Sequence, residues 1–184
     1  MQGTLYHTVE DRSNPDYIEE SAPFKCKEGW LGDGYYFWDT FISNAHWWGD
    51  HCYGDGYVIC ETAYKIEDNE LLDLVGNTSQ IEDFREIVNT IKKNYCAEKD
   101  ITVPFVIKWL QDKKIFRYKA IRANGVRSKS DKNTEYTANI RFTEGYGAYL
   151  DLCPPIQICV IDKSILVLPM KIVYPAYYCD GYTI

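Results

Sequence analysis

The sequence predicts an α+β fold on three observations. Apolar and polar side chains alternate with a period of two near the N-terminus and through most of the last third, which is the strand pattern. A stretch in the middle has the 3.6-residue period of an amphipathic helix. The two kinds of segment are mixed along the chain, whereas a doubly wound parallel sheet needs them to alternate strictly. With 184 residues, 46% of them hydrophobic, there is enough apolar surface for one well-buried core, so residues 1–184 are read as a single domain.

Residues 3–9 form the first expected strand, with Leu5, His7 and Val9 on one face and Tyr6 and Thr8 on the other. Residues 10–33 are polar, acidic and broken by Pro15, Pro23, Gly29 and Gly32, so they predict a loop with one short helical turn, placed to cover a ligand. Gly32 and Gly34 frame a turn into an aromatic strand that ends at Asp39, which is expected to cap the next helix. In that helix Phe41, Ala45 and Trp48 share one face, Asn44 and Trp47 lie on the other, and Gly49 is expected to stop it. Tyr57 to Tyr64 alternates as a strand after the turn Gly54-Asp55-Gly56.

Ser79-Gln80-Ile81-Glu82 has the spacing of a capping box, and Ile81, Phe84, Val88, Ile91 and Tyr95 then recur at helical intervals. Pro104 suits the first turn of a shorter helix carrying Phe105, Val106, Trp109 and Leu110 and ending by Lys113 or Lys114. Strands are expected at 114–122, 136–142, 156–162 and 165–174, the last bulged or at an edge because it contains Pro169.

Composition narrows the function classes. The net charge of −7 speaks against uniform attachment to nucleic acid. Residues 113–132 are locally basic, with Lys113, Lys114, Arg117, Lys119, Arg122, Arg127, Lys129 and Lys132 against Asp131, and read either as a solvated strand face and loop or as a surface for an anionic partner. Seven cysteines without a Cys-x-x-Cys pair suit free thiols in a reducing compartment. No apolar run reaches the roughly 18 residues of a membrane span, and no basic-then-apolar leader opens the chain, so no membrane is expected. His46, His51 and Cys52 are close in sequence but lack a fourth zinc ligand, so no metal is expected, and phosphate-binding glycine fingerprints are absent.

Two segments remain, Leu5-Tyr6-His7-Thr8-Val9 and Gly32-Asp33-Gly34-Tyr35-Tyr36-Phe37-Trp38-Asp39, the second followed by Asn44-Ala45-His46-Trp47-Trp48. In their order and spacing they resemble the first two motifs of the ADP-ribosyltransferase superfamily, in the subgroup with a His-Tyr-Glu triad. The resemblance covers roughly residues 4–64 and 153–168. It implies an ADP-ribosyltransferase-like split mixed or antiparallel sheet with flanking helices, and NAD as co-substrate. It also implies transfer of ADP-ribose to a protein or nucleic acid, as in bacterial mono-ADP-ribosyltransferase toxins and effectors.

By that match His7 holds a ribose, Thr8 binds the carboxamide through its backbone, and Gly34 frames the turn at the cofactor. Asn44 meets the carboxamide, and Tyr36 and Trp47 enclose the nicotinamide ring. The third motif maps onto Pro155-Ile156-Gln157-Ile158-Cys159-Val160-Ile161-Asp162, with Gln157 where the subgroup has glutamate. A glutamine can bond a ribose hydroxyl but brings no negative charge to an oxocarbenium, so Glu61 and Glu144 are considered as substitute carboxylates. The register of Arg-Ser-Glu toxins would instead place Cys159 at the catalytic position. The expected catalytic set is therefore His7, Tyr36 and Gln157, in a protein acting in the cytoplasm or delivered into that of a target cell, where an antitoxin could neutralise it. The alternative is a weak or inactive NAD or ADP-ribose-binding module of the same fold. An RNA 2′-phosphotransferase would need several arginines at a phosphate site, and none flank His7.

Overall fold

The computed structural model describes residues 1–95, 100–125 and 139–179, with the side chain of Tyr95 outside that set. Cys96, Arg127, Lys129, Asp131 and Lys132, together with the start of the strand expected at 136–142, lie outside the described residues. The chain is a mixed α+β structure. A sheet runs in the order β10(Lys171–Tyr174), β4(Tyr57–Lys65), β1(Gln2–Glu10), β3(Gly32–Asp39), β9(Gln157–Val160), β6(Ala120–Ala123), β5(Leu71–Asp73), and β2(Cys26–Gly29) pairs with β3 off this path. Its ladders are antiparallel except the parallel pair of β5 and β6. A separate hairpin joins β7(Asn139–Arg141) to β8(Tyr149–Asp151).

Alternation along the strands builds two cores. Leu5, Phe37, Val58, Cys60, Ile158, Val160 and Ile172 point to one face, where Ile18 of α1(Pro15–Ser21) covers them. On the other face Trp38 and Ile59 meet Ala45 of α2(Ile42–Tyr53), and farther along Ile121 and Cys159 meet Ile107 of α4(Val103–Asp112). α3(Thr78–Tyr95) buries Ile91 against Val106 and Leu110 of α4. A short helix, α5(Ala176–Cys179), follows β10.

Several elements differ from the expected ones for identifiable reasons. The α2 N-cap is Phe41, with no side-chain cap, because Asp39 instead accepts a hydrogen bond from Arg122 Nε at 2.8 Å. α2 runs through Gly49, which is a close-approach glycine: a Cβ there would lie 2.4 Å from Cδ2 of Tyr57. The helix stops only at Gly54, whose φ of 61° suits glycine. The start of α3 is fixed two residues earlier than the expected box, by Asn77 Oδ1 accepting from the Gln80 N–H at 3.1 Å. Of the strand expected at 114–122 only the last part forms, as β6, and the region 165–174 divides into a 3-10 turn at Lys163–Ile165 and β10. Within the expected loop the short helical turn is α1, and β2 is added to it.

Candidate functional site

β1 and β3 run side by side for a short distance and then part. Thr4 C=O accepts from Thr40 N–H at 3.0 Å, and the register continues through Leu5 with Asp39 and Tyr6 with Trp38. In an antiparallel ladder the next bonded pair would be Thr8 with Tyr36. That pair does not form. The Tyr36 carbonyl instead lies 2.8 Å from Nδ1 of His7, and β3 turns to β9, pairing Tyr36 with Cys159 and Trp38 with Gln157.

Backbone polarity then follows from the alternation. Thr4 faces β3, whereas Asp11 N–H donates to Gly56 at 2.9 Å on the β4 side, so the N–H and C=O of Thr8 turn toward the space that β3 leaves. That space is a cavity of about 920 Å³. It lies near the top of the range of about 300–1,000 Å³ found for small-molecule and cofactor pockets. His7, Thr8, Tyr36 and Gln157 all line it, and the stretch 10–33 supplies a further wall through Arg12, Asn14, Tyr17, Phe24, Lys25 and Trp30.

His7 is buried and neutral. With Nδ1–H donating to Tyr36 C=O, Nε2 accepts from the Phe24 N–H at 3.2 Å, which fixes the tautomer. Burial lowers its pKa below the usual 6.5, and the bond to the Tyr36 carbonyl opposes that shift in part. Its ring lies 5.4 Å from that of Phe37, on the sheet face opposite to Tyr36 and Gln157, and reaches the cavity through the gap between the strands.

Tyr36 closes the turn between β2 and β3. Its hydroxyl donates to Gly32 C=O at 2.7 Å and accepts from Leu31 N–H at 2.8 Å. Its ring fills the place of a side chain at Gly29, where a Cβ would lie 2.3 Å from the hydroxyl oxygen. Burial raises the phenol pKa, so the hydroxyl stays protonated. Gln157, 7% exposed, accepts a hydrogen bond on Oε1 from Trp30 Nε1 at 2.7 Å. An indole nitrogen only donates, so the amide oxygen must face it and the amide N–H2 is left toward the cavity.

Three residues expected at the site lie off the cavity wall. Asn44 is fully buried and donates to Pro154 C=O at 3.1 Å, holding the loop before β9. Gly34 permits the approach of β9, since a Cβ there would lie 2.4 Å from Cys159 Sγ. Trp47 packs edge-on against Trp38 at 6.1 Å and stacks on His51 at 5.7 Å, and the cavity tryptophan of α2 is Trp48. Ala45 sets this helix phase by being fully buried: a residue three positions on stays near the sheet. Trp48 and Trp30 are the functional candidates that sequence reasoning missed. Trp48 carried a signal in its spacing from Ala45, and Trp30 carried none.

The substitute carboxylates are elsewhere. Glu61 lies opposite Tyr6 and Lys171 on β4, where its charge adds to burial in raising the Tyr6 phenol pKa, and Glu144 is exposed between β7 and β8. Among the described residues Glu10 is the carboxylate that lines the cavity, paired with Arg12 at 2.6 Å. Cys159 is unsuited to the Arg-Ser-Glu register, being buried beneath Gly34 with a thiol pushed up to about 12. Of the metal alternative, His46 Nδ1 is 2.9 Å from the Tyr57 hydroxyl and His51 is stacked on Trp47. Of the basic segment, Lys119 pairs with Glu70 at 2.7 Å, and Arg122 is enclosed by Asp39 and Asp73. Lys113 and Arg117 lie over Trp109 and Tyr118 at 5.9 and 5.7 Å.

No protein-family model matches the chain, and neither a curated protein nor a solved structure matches it. No helix among the described residues is long and apolar enough to cross a membrane.

Proposed function

We infer that the chain is an NAD-dependent mono-ADP-ribosyltransferase of the His-Tyr-Glu type with glutamine in the third position. The observation that carries this reading is the meeting of His7, Thr8, Tyr36 and Gln157, from three separate strands, on one cavity where β1 and β3 part. The nicotinamide carboxamide pairs with the Thr8 backbone, a donor and an acceptor side by side. Tyr36 and Trp48 give the ring apolar faces. The Gln157 amide donates to a ribose hydroxyl beside the wedge that His7 forms, and Arg12 and Lys25 lie on the same wall for the pyrophosphate.

In the reaction the bond between nicotinamide and ribose breaks with its electron pair leaving on the ring nitrogen, so nicotinamide departs neutral. A lone pair of the acceptor forms the new bond at the ribose carbon, and the acceptor's proton goes to solvent. The protein contributes position and fixed dipoles. The acceptor is a protein side chain or a nucleobase, met in the cytoplasm of the producing or a target cell, and an antitoxin is a natural partner for such an activity.

One observation favours a second reading, an NAD or ADP-ribose-binding module without turnover. Gln157 turns its oxygen to Trp30 and its N–H2 to the ligand, so where a glutamate would present a charged acceptor to the ribose it presents a donor and no charge to offset the oxocarbenium. Calorimetry with NAD and a label-transfer assay in cell lysate separate the two. The transferase binds NAD and labels a macromolecule, and loses labelling in Tyr36→Ala and Gln157→Ala. Binding without nicotinamide release selects the module, and absence of binding to both NAD and ADP-ribose overturns both.

A further inference from the structure

The pairing of Trp30 with Gln157 joins positions 127 residues apart. Trp30 is held from both sides. A Cβ at Gly125 would lie 2.0 Å from Trp30 Cζ3, so the indole lies flat against bare backbone there. The turn that carries Trp30 is closed by the Tyr36 hydroxyl through Leu31 and Gly32. Gln157 is fixed in turn by its strand, paired to Trp38 of β3 and Ala123 of β6. With both backbones held, the indole N–H donates to the Oε1 atom at 2.7 Å.

We propose that Trp30 is the positioning residue of this wall: its indole N–H fixes the side chain at 157 and would hold a carboxylate in the same place as it holds the amide. The inference rests on the NAD reading for its consequence in catalysis, and on geometry alone for the hydrogen bond. The socket supplies a donor, and a carboxylate is the better acceptor for it. With glutamine the second polar atom facing the cavity is a donor; with glutamate it is a charged acceptor aimed at the ribose. Turnover is therefore held low by one side-chain atom rather than by the architecture.

The experiment compares the parent, Trp30→Phe, Gln157→Glu and the double variant. Phenylalanine keeps a ring against Gly125 and removes the N–H. In ¹⁵N-labelled protein without NAD, the Trp30 indole proton, assigned by its loss in Trp30→Phe, moves downfield in Gln157→Glu because the bond becomes charge-assisted. An unchanged resonance overturns the proposal. With NAD, Gln157→Glu raises nicotinamide release at least tenfold over the parent. Adding Trp30→Phe lowers kcat at least fivefold, leaves KM within twofold, and moves the acid limb of the pH profile upward, since the carboxylate loses a donor that favours its charged form. Equal kcat and equal acid limbs in Gln157→Glu and the double variant overturn the role. A downfield shift with no NAD binding in any of the four supports the positioning by Trp30 and overturns the NAD reading instead.

Discussion

β1 has two neighbours in the sheet and treats them differently. Against β4 it keeps register over its whole length, from Gln2 opposite Lys65 to Glu10 opposite Tyr57. Against β3 it keeps register only at Leu5 and Tyr6, after which an imidazole takes the carbonyl that the strand would have taken. The continuous edge buries Val58, Ile59 and Cys60 and carries no candidate chemistry. The broken edge leaves main-chain donors and acceptors facing a cavity, and of the cavity residues expected from the motifs His7, Thr8 and Tyr36 lie along it, with Gln157 on the adjoining β9. The contrast teaches where to look for function in a sheet: at the point where a ladder stops while both strands continue.

The strongest way to break the contrast is to release the far end of β3. Arg122, 14% exposed at its side chain, donates to Asp39 at the end of β3 and to Asp73 of β5. Arg122→Ala leaves two enclosed carboxylates without their cation, and removing one partner of a buried pair typically costs about 3–5 kcal/mol. Denaturant unfolding is expected to show a loss of that size. A loss of less than about 1 kcal/mol would mean that the pair is not what holds the β3 end.

Next in size is the turn of β2 and β3. Tyr36→Phe keeps the ring against Gly29 and deletes the hydroxyl, leaving Leu31 N–H and Gly32 C=O without their partner. A buried group left unsatisfied costs about 1–3 kcal/mol. The same variant loosens Trp30, so the Trp30 indole is expected to exchange with solvent faster. Stability lowered with unchanged indole exchange would show that the turn and the cavity wall are independent.

The two tryptophans of α2 sharpen the comparison between cavity and core. Trp48 lines the cavity and Trp47 does not. Trp48→Ala is expected to weaken NAD binding about tenfold, or about 1.4 kcal/mol, in line with a lost aromatic contact. Trp47→Ala, which removes packing on Trp38, is expected to lower melting temperature and leave affinity within threefold. Calorimetry that finds the reverse order would restore the sequence assignment of Trp47.

That assignment shows what the sequence makes legible. β1, β4, α3 and α4 were readable because each is a long run whose apolar side chains recur at the period of its element, as Val58 and Cys60 do in β4 and Ile91 in α3. That His7, Thr8, Tyr36 and Gln157 line one cavity is what their motif order led one to expect. The period of α2 already set Ala45 and Trp48 on one face; it was the motif match that named Trp47, and both rings pack against the core around Trp38 and Ala45. β5 and β8 were missed because three residues are too few to show a period. Trp30 was missed because its partner is 127 residues away and nothing local marks it.

The smallest expected effect is a slope with pH, and it tests the wedge itself. Burial lowers the His7 pKa below its usual 6.5, so as pH falls the unfolded chain takes up the proton first. The stability that the neutral ring contributes is complete above about pH 6.5 and declines below it. His46 is pushed in the same direction by burial, with Asp50 opposing, so the decisive quantity is the difference between the parent and His7→Phe measured from pH 7.5 to 5.5. The variant is expected to start less stable, having left Tyr36 C=O and Phe24 N–H without the imidazole, and to lose less on acidification. Parallel curves would mean that His7 takes up its proton in the folded state as readily as in the unfolded one. The ring would then not be the sealed, doubly bonded wedge that holds β1 and β3 apart.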